Sequence, residues 1–140
     1  MTIEQLPEAM AIAESFPNAV LKVKESGGNP YVCIPRELLV PVMQFLRDTQ
    51  NYKYFSECLG VDYSQWEHER DFEERFEVVY NLMSVETGRR LFVKIGVNDG
   101  VVRGIERGRV LVEEESVDFF GEHRTSEVVL EMASGERGNR

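Results

Sequence analysis

Two stretches of alternating apolar and polar side chains, separated by a glycine-containing turn, constrain the fold more than any other feature. The residues on one face of each stretch are all apolar: Phe76, Val78, Tyr80 and Leu82, then Leu91, Val93, Ile95 and Val97. Successive side chains of a β-strand point to opposite faces, so this period predicts two strands that each bury one face. Glu86-Thr87-Gly88 supplies the turn between them. The pattern therefore predicts an antiparallel β-hairpin.

A second hairpin is predicted nearer the N-terminus. Side chains alternate from Asn18 to Lys24, Ser26-Gly27-Gly28-Asn29-Pro30 supplies strong turn residues, and Tyr31 to Ile34 resumes an extended pattern. The mixed apolar segment from Tyr52 to Tyr63 is expected to add a strand. The charged stretch from Ser64 to Glu74 is expected to form a loop exposed to water.

Two helices are predicted in the first third of the chain. Thr2 is a suitable cap for the first helix, which Phe16-Pro17 ends. Pro35 suits the first turn of the second, which extends to Asp48. Pro41 lies inside this second pattern, so it is expected to kink the helix or to move its start to a later residue.

A third helix is predicted from Val110 to Phe120, with Gly121 as its C-terminal stop. Its apolar residues at helical spacing are Val110, Leu111, Val117, Phe119 and Phe120. These elements predict an α+β fold: an antiparallel β-sheet with two or three helices packed on it. We expect a single domain over residues 1–132 and a disordered tail over 133–140.

The charge balance limits the classes of partner. The 140 residues include 16 Lys and Arg against 25 Asp and Glu, a net charge of −9. Nucleic acid and anionic membrane surfaces both attract basic proteins, so neither is an expected direct partner. A basic surface on another protein is the natural complement of an acidic chain.

Cysteine usage and the N-terminus indicate the compartment. Cys33 and Cys58 have no CxxC or zinc-type spacing and are expected to be buried, reduced thiols. The first apolar stretch is interrupted by Glu4, Glu8 and Glu14, so it is not a signal peptide, and no apolar run is long enough to span a membrane. These features predict a cytoplasmic protein.

Few residues suggest chemistry. His68 lies in the charged loop and His123 follows Gly121-Glu122; both are interpreted as solvated histidines rather than general bases. No phosphate-binding glycine loop, nucleophile elbow or zinc motif is present. No catalytic constellation is therefore predicted.

The densest acidic cluster comprises Glu113, Glu114, Glu115 and Asp118. Such carboxylates can ligate a hard cation, but the spacing of a calcium loop is missing. Mutual repulsion within the cluster favours basic counter-charges from elsewhere. A solvated or interface surface is therefore preferred to a metal site.

Several segments together resemble one protein family. They are Val61-Asp62-Tyr63, the run from Arg75 to Leu82, Arg90-Leu91-Phe92-Val93-Lys94, and the acidic stretch from Glu113 to Gly121. In this order they are similar to the C subunit (30 kDa subunit) of the proton-translocating NADH:quinone oxidoreductase, respiratory complex I. The stretch from Ser26 to Asp48 also resembles the first half of that family.

The chain departs from the family pattern in two places. Gly100 to Arg109 has neither the Trp nor the Pro that normally approach the acidic helix. After Gly121 the chain lacks the Gly-His-Pro segment that lies along the neighbouring D subunit in the family.

The resemblance implies a cofactorless structural and assembly subunit of the hydrophilic arm. NADH, flavin mononucleotide, iron–sulfur clusters and quinone would be bound by partner subunits. The chief partner would be the D-like subunit, and the complex would hold the chain at the inner face of the cell membrane, with no direct membrane contact. No catalytic, cofactor or metal residue is implied; the expected partner interface is Glu113, Glu115, Asp118, Phe120 and Gly121.

Three alternatives stay open at this point. The chain could be the small subunit of a related membrane-bound hydrogenase complex, which shares the fold. It could be a free-standing enzyme or metal-binding domain that uses Glu113, Glu115, Asp118 and His123. It could also be a stand-alone interaction module that has kept the fold and lost the complex.

Overall fold

The computed structural model describes residues 1–98, 102–106 and 109–112. The two α-helices are α1 (Pro7–Ser15) and α2 (Leu39–Asp48), each preceded by one turn of 3-10 helix, Ile3–Gln5 and Arg36–Leu38. The strands are β1 (Lys22–Ser26), β2 (Asn29–Cys33), β3 (Tyr54–Asp62), β4 (Phe76–Met83), β5 (Arg90–Val97), β6 (Val102–Glu106) and β7 (Arg109–Val112). β6 and β7 pair as a separate two-stranded ribbon.

Five strands form one sheet in the order β1-β2-β5-β4-β3. The central pair is the predicted antiparallel hairpin: Phe76 lies opposite Val97 and Met83 opposite Arg90. Its predicted apolar residues are buried, because each strand turns the same alternate positions toward the helices. This prediction is confirmed.

The sheet is mixed rather than purely antiparallel. After β2 the chain passes through α2 to the far edge, where β3 begins, and then returns through β4 to β5 in the centre. β5 therefore meets β2 in the same direction, with Val32 beside Val93, and forms the one parallel pair of this sheet. The α+β class is confirmed.

Both helices begin later than predicted, at Pro7 and Leu39, and Thr2 precedes the 3-10 turn before α1 instead of capping α1 itself. The Thr2 backbone N–H donates to Gln5 Oε1 at 2.7 Å in the 3-10 turn, and α1 begins at Pro7. Pro41 occupies the first turn of α2, where a missing N–H costs no helical hydrogen bond. This confirms the prediction of a later start.

The helices and one sheet face enclose the core. α2 buries four apolar residues at helical spacing: Leu39, Val42, Met43 and Leu46. They belong to one cluster with Ile12 of α1 and the inward side chains of the strands, including Val78, Tyr80, Val93 and Ile95. The side chains on the opposite face of the sheet do not belong to this cluster.

The N-terminal hairpin turns through two glycines. Gly27 and Gly28 have φ of 58° and 82°, between the paired residues Ser26 and Asn29. A two-residue turn with both φ values positive matches the twist of the strands, and glycine adopts it without steric cost. The predicted turn is confirmed.

Two expectations are corrected. Val110 and Leu111 lie in β7 instead of beginning a helix, because they pair with Ile105 and Gly104 of β6. The loop after β3 is only partly exposed, since Asp71 and Phe72 fold back onto the sheet. The remainder of the predicted third helix and the tail over 133–140 lie outside the described residues.

Candidate site on the open face of the sheet

The sheet face opposite the helices carries a mixed set of side chains, which we call the open face. The period of two directs these residues away from the core, and strand register sets them side by side. Across the middle of the sheet they are Lys24, Tyr31, Phe92, Lys94, Val79 and Leu59. Cations, aromatics and aliphatic groups therefore share one surface.

The loop between β3 and β4 folds over one end of the open face. Asp62 and Arg75 close its base through two hydrogen bonds of 2.9 and 2.8 Å, and the Tyr63 N–H donates to the Arg75 carbonyl at 2.9 Å. Phe72 then packs on Gly96, where an added Cβ would lie 2.8 Å from a ring carbon. A glycine at this position thus lets the loop approach the sheet.

Asp71 is the centre of an ion cluster beneath this loop. Its carboxylate is 2.7 Å from Lys24 Nζ, 2.8 Å from Lys94 Nζ and 3.8 Å from Lys22 Nζ. Tyr31 also donates its hydroxyl to Asp71 Oδ2 at 3.1 Å. The Asp71 side chain is 7% exposed, so four neighbours replace its water.

Lys94 connects this cluster to a second buried carboxylate. Its Nζ is 2.8 Å from Glu77 Oε1, and the Glu77 side chain is 1% exposed. Arg70 approaches the same carboxylate at 3.9 Å and donates to the Glu74 carbonyl. Lys94 thus bridges two buried carboxylates that would otherwise repel each other.

The pKa values follow from these contacts. Burial raises the pKa of Asp71, but hydrogen bonds from Lys24 and Lys94 outweigh it and hold that pKa at about 2. Burial lowers the pKa of Lys94, while hydrogen bonds to Asp71 and Glu77 raise it above its ordinary value. Burial raises the pKa of the neighbouring Cys33 thiol to about 12, which makes it unreactive at neutral pH.

We predict an acid-dependent loss of stability from Asp71. Its pKa of about 2 is below its ordinary 3.8, so its contribution is complete above pH 4 and is lost as the pH falls to 2. Asp71→Asn removes this titration. The difference in unfolding free energy between the native chain and this variant, measured with urea, should shrink by roughly 2 kcal/mol from pH 6 to pH 2. A difference that stays constant contradicts the prediction.

Beside the ion cluster lies an open cleft of about 560 Å³. Aromatic side chains line it, and two carry cations on their rings: Lys94 Nζ is 4.6 Å from the Tyr31 centroid and the Arg70 guanidinium is 4.4 Å from that of Tyr63. Trp66 stands at the lip, 52% exposed. The cleft therefore combines aromatic surface with lysines that are already paired with carboxylates of the chain.

The structure assigns plain roles to three residues singled out in the sequence. Cys33 and Cys58 are buried, reduced thiols, as predicted. His68 is exposed and contacts the Trp66 ring edge-on at 4.9 Å, which agrees with a solvated histidine.

The other candidate residues are His123 and the five expected interface residues Glu113, Glu115, Asp118, Phe120 and Gly121. All of them lie outside the described residues.

The ion cluster was not predicted from the sequence. Glu77 and Lys94 occupy polar positions of two predicted strands, and the register sets them diagonally, since Glu77 lies opposite Gly96. The register of the predicted hairpin was sufficient to identify Glu77 and Lys94 as a diagonal pair. The sequence does not indicate that Asp71 is buried, because it is one of many charged residues in its loop.

Two kinds of site are absent from the described residues. Among residues 1–98, 102–106 and 109–112, no three His, Cys, Asp or Glu side chains are grouped as metal ligands. Within the same ranges, neither helix has the length and apolar character required to cross a bilayer.

Residues 32–123 match the protein family described as "Respiratory-chain NADH dehydrogenase, 30 Kd subunit". The chain belongs to this family. The resemblance predicted from its sequence segments is therefore confirmed.

Two curated relatives illustrate the match. The C subunit of the NADH-quinone oxidoreductase of Geobacter sulfurreducens is 35% identical over 88 residues, which cover 63% of this chain and 51% of that protein. The C/D subunit of the NADH-quinone oxidoreductase of Bdellovibrio bacteriovorus is 30% identical over 114 residues, which cover 79% of this chain and 19% of that protein. The chain thus spans about half the length of the Geobacter relative.

A solved structure shares the fold. The trypsin-resistant fragment (1-134) of Nqo5 superposes with a TM-score of 0.55 at 29% identity, covering 72% of this chain and 74% of that one. The α+β arrangement of this chain is therefore also that of the Nqo5 fragment.

Proposed function

We propose that this chain is a structural and assembly subunit, without a cofactor of its own, in the hydrophilic arm of an NADH:quinone oxidoreductase. The observation that carries this proposal is the family match over residues 32–123. In the proposal, NADH, flavin, iron–sulfur clusters and quinone are bound by other subunits. Electron transfer from NADH to quinone and proton translocation are then properties of the whole complex.

The geometry supports a binding role. The ionisable groups buried beneath the loop are occupied with one another: Asp71 and Glu77 pair with Lys94 and its neighbours, and Cys33 is held as a thiol. Groups so paired stabilise a surface rather than exchange protons with a substrate. The half-covered open face offers aromatic and aliphatic area of the kind found at protein interfaces.

The proposed partner is the D-like subunit. The Bdellovibrio relative is named as a C/D subunit, and the part that matches this chain is 19% of its length. If C and D subunits are joined in one chain in that relative, they must lie close together. We therefore expect the separate C and D subunits of other complexes to associate as well. In this proposal the interface includes Glu113, Glu115, Asp118, Phe120 and Gly121, and the complex holds the chain at the inner face of the membrane.

Copurification tests the proposal. The full chain, carrying an affinity tag, is expressed in its native cells, and membranes are solubilised with a mild detergent. We expect the D-like subunit and further NADH:quinone oxidoreductase subunits to elute with it, identified by mass spectrometry. The same tag on an unrelated cytosolic protein is the control.

Three outcomes would contradict the proposal. Recovery of the chain only as a free monomer in the soluble fraction would show that it does not belong to a complex. Recovery with hydrogenase subunits would assign it to the alternative redox complex. If deletion of the chain leaves the assembly of NADH:quinone oxidoreductase intact, the chain has no assembly role.

A further inference from the structure

Four donors on three strands converge on the Asp71 carboxylate. The two lysines of β1, Lys24 and Lys22, lie 2.7 and 3.8 Å from its Oδ1. Lys94 of β5 and the Tyr31 hydroxyl of β2 lie 2.8 and 3.1 Å from its Oδ2. Each carboxylate oxygen therefore faces its own pair of donors. Charged donors gathered around one oxyanion in this way are the contacts of an anion-binding site.

The strand register builds these four donors into the sheet. Lys24 lies opposite Tyr31, and Lys22 lies opposite Cys33. On the next strand of the sheet, Lys94 lies beside Cys33. The donors thus occupy neighbouring positions on one face of three adjacent strands. The site belongs to the sheet, and only its occupant, Asp71, comes from the loop between β3 and β4.

The loop also supplies much of the negative charge of the cleft. It contributes Glu69, Arg70 and Asp71 to the lining. The sheet beneath it contributes the three lysines against Glu77 alone, a net charge of +2. Ammonium groups this close to one another repel unless an anion lies between them. The charge balance of the cleft therefore depends on the loop, and the bare sheet would attract an anion.

Residues 70–72 hold the loop against the sheet, whereas residues 64–69 are exposed. Asp71 is held by its ion pairs, and Phe72 packs on Gly96. Both attachments are made by side chains. The loop can therefore be displaced from this face without breaking the hydrogen bonds between the strands.

Closure of the loop leaves one polar group without a partner. Arg70 Nε is buried, and none of the described residues accepts a hydrogen bond from it. A buried N–H without an acceptor destabilises the arrangement that buries it. This cost opposes closure, so the ion pairs of Asp71 are needed to hold the loop in place.

We propose that Lys22, Lys24, Tyr31 and Lys94 form a carboxylate-binding site and that Asp71 is its built-in occupant. When the loop is displaced, the site binds a carboxylate of another molecule in the same position. Lys22 and Lys24 keep 38% and 44% of their side chains exposed, so such a carboxylate can reach them. Because Asp71 is attached to the chain, it outcompetes a dilute external carboxylate while the loop is closed. The proposal does not depend on the proposed function, because the site lies wholly within this chain.

Chemical rescue by acetate tests the proposal. Asp71→Ala removes the built-in carboxylate and leaves space for an external one. At pH 7, we expect about 100 mM sodium acetate to raise the melting temperature of this variant by about 4 °C above its value in sodium chloride of the same concentration, which corresponds to a dissociation constant of about 10 mM. The native chain should melt at the same temperature in both salts, because Asp71 already fills its site.

Further variants locate the effect. Asp71→Ala combined with Lys24→Met should lose the response to acetate, whereas Asp71→Ala combined with Lys53→Met should keep it, because Lys53 is exposed and lies outside the site. Asp62→Ala is the matched control for loss of a paired carboxylate. Asp62 accepts two hydrogen bonds from Arg75 at an exposed position, so this variant should respond to acetate and chloride alike.

A second titration distinguishes the sources of the carboxylate. Acetate represents a small carboxylic acid, and a tri-aspartate peptide represents an acidic segment of another protein. Both are added to Asp71→Ala at the same concentration of carboxylate. Tighter binding of the peptide supports a site for a protein segment, and equal binding supports a site for a small acid.

Gly96→Ala gives a test that does not require Asp71→Ala to fold. The added Cβ would lie 2.8 Å from a Phe72 ring carbon, so it displaces the loop and leaves every residue of the site native. Acetate should then change the fluorescence of Trp66, the single tryptophan, in a saturable manner that chloride does not reproduce. Equal effects of acetate and chloride on both variants would overturn the proposal. An acetate response that survives Lys24→Met would overturn it as well.

Discussion

Replacing Lys94 by Met lowers the free energy of unfolding by about 3–5 kcal/mol. The Lys94 ammonium is 2.8 Å from both Asp71 and Glu77, whose side chains are 7% and 1% exposed. Methionine keeps the volume and packing of the stem but leaves two buried carboxylates close to each other. Removing one partner of a buried ion pair is costly because the remaining charge has neither water nor a counter-ion. Urea unfolding at pH 7 measures the effect.

Two further variants identify the cause of this loss. Lys53→Met removes an exposed lysine and should change stability by less than about 0.5 kcal/mol. Adding Glu77→Gln to Lys94→Met should restore part of the loss, because it removes one of the two unpaired charges. A loss below about 1 kcal/mol for Lys94→Met, or no recovery in the double variant, would mean that water reaches the cluster and that it is not a buried ion pair.

The part of the fold governed by local patterning could be predicted from the sequence. Val78 and Val93 each lie within a run with a period of two, and burial of one face follows from strand geometry alone. Gly27 and Gly28 likewise specify their turn by a local backbone requirement. Such elements need no knowledge of distant residues.

The parallel pairing of β2 with β5 could not be predicted in this way. Val32 meets Val93 only because the chain crosses to the far edge at β3 and returns through β4. The alternation in each strand is compatible with several neighbours. The error at Val110 and Leu111 has a related cause, since two adjacent apolar residues fit a helix or a strand until a partner strand is known.

The candidate site was the least predictable part. Asp71 is one of seven acidic residues between positions 62 and 77, and only the folded positions of Lys24 and Lys94 select it for burial. The cluster is therefore a tertiary feature, although Glu77 and Lys94 were visible as charged residues within strands. Opposite charges in neighbouring strands of a predicted hairpin indicate a diagonal pair of this kind.

Replacing Glu8 by Ala should lower the free energy of unfolding by about 3 kcal/mol, the second largest effect that we expect. The Glu8 carboxylate is buried on the helix side and accepts two hydrogen bonds from Arg89, at 2.7 and 2.8 Å, and one from the Tyr52 hydroxyl. It thereby ties α1 to the turn between β4 and β5. Alanine leaves the buried Tyr52 hydroxyl without its acceptor, whereas half-exposed Arg89 recovers part of its loss from water.

Arg89→Met is the informative control because it changes the pH dependence. Burial raises the pKa of Glu8, but hydrogen bonds from Arg89 and Tyr52 outweigh it and hold that pKa below its ordinary value of 4.5. The stability that this pairing provides is therefore present above pH 4.5 and is lost as the pH falls through the lowered value. The difference between the native chain and Arg89→Met should be largest at neutral pH and should shrink in acid, since a protonated Glu8 no longer needs the guanidinium. A difference that grows in acid would show that Arg89 acts through packing of its stem and not through its charge.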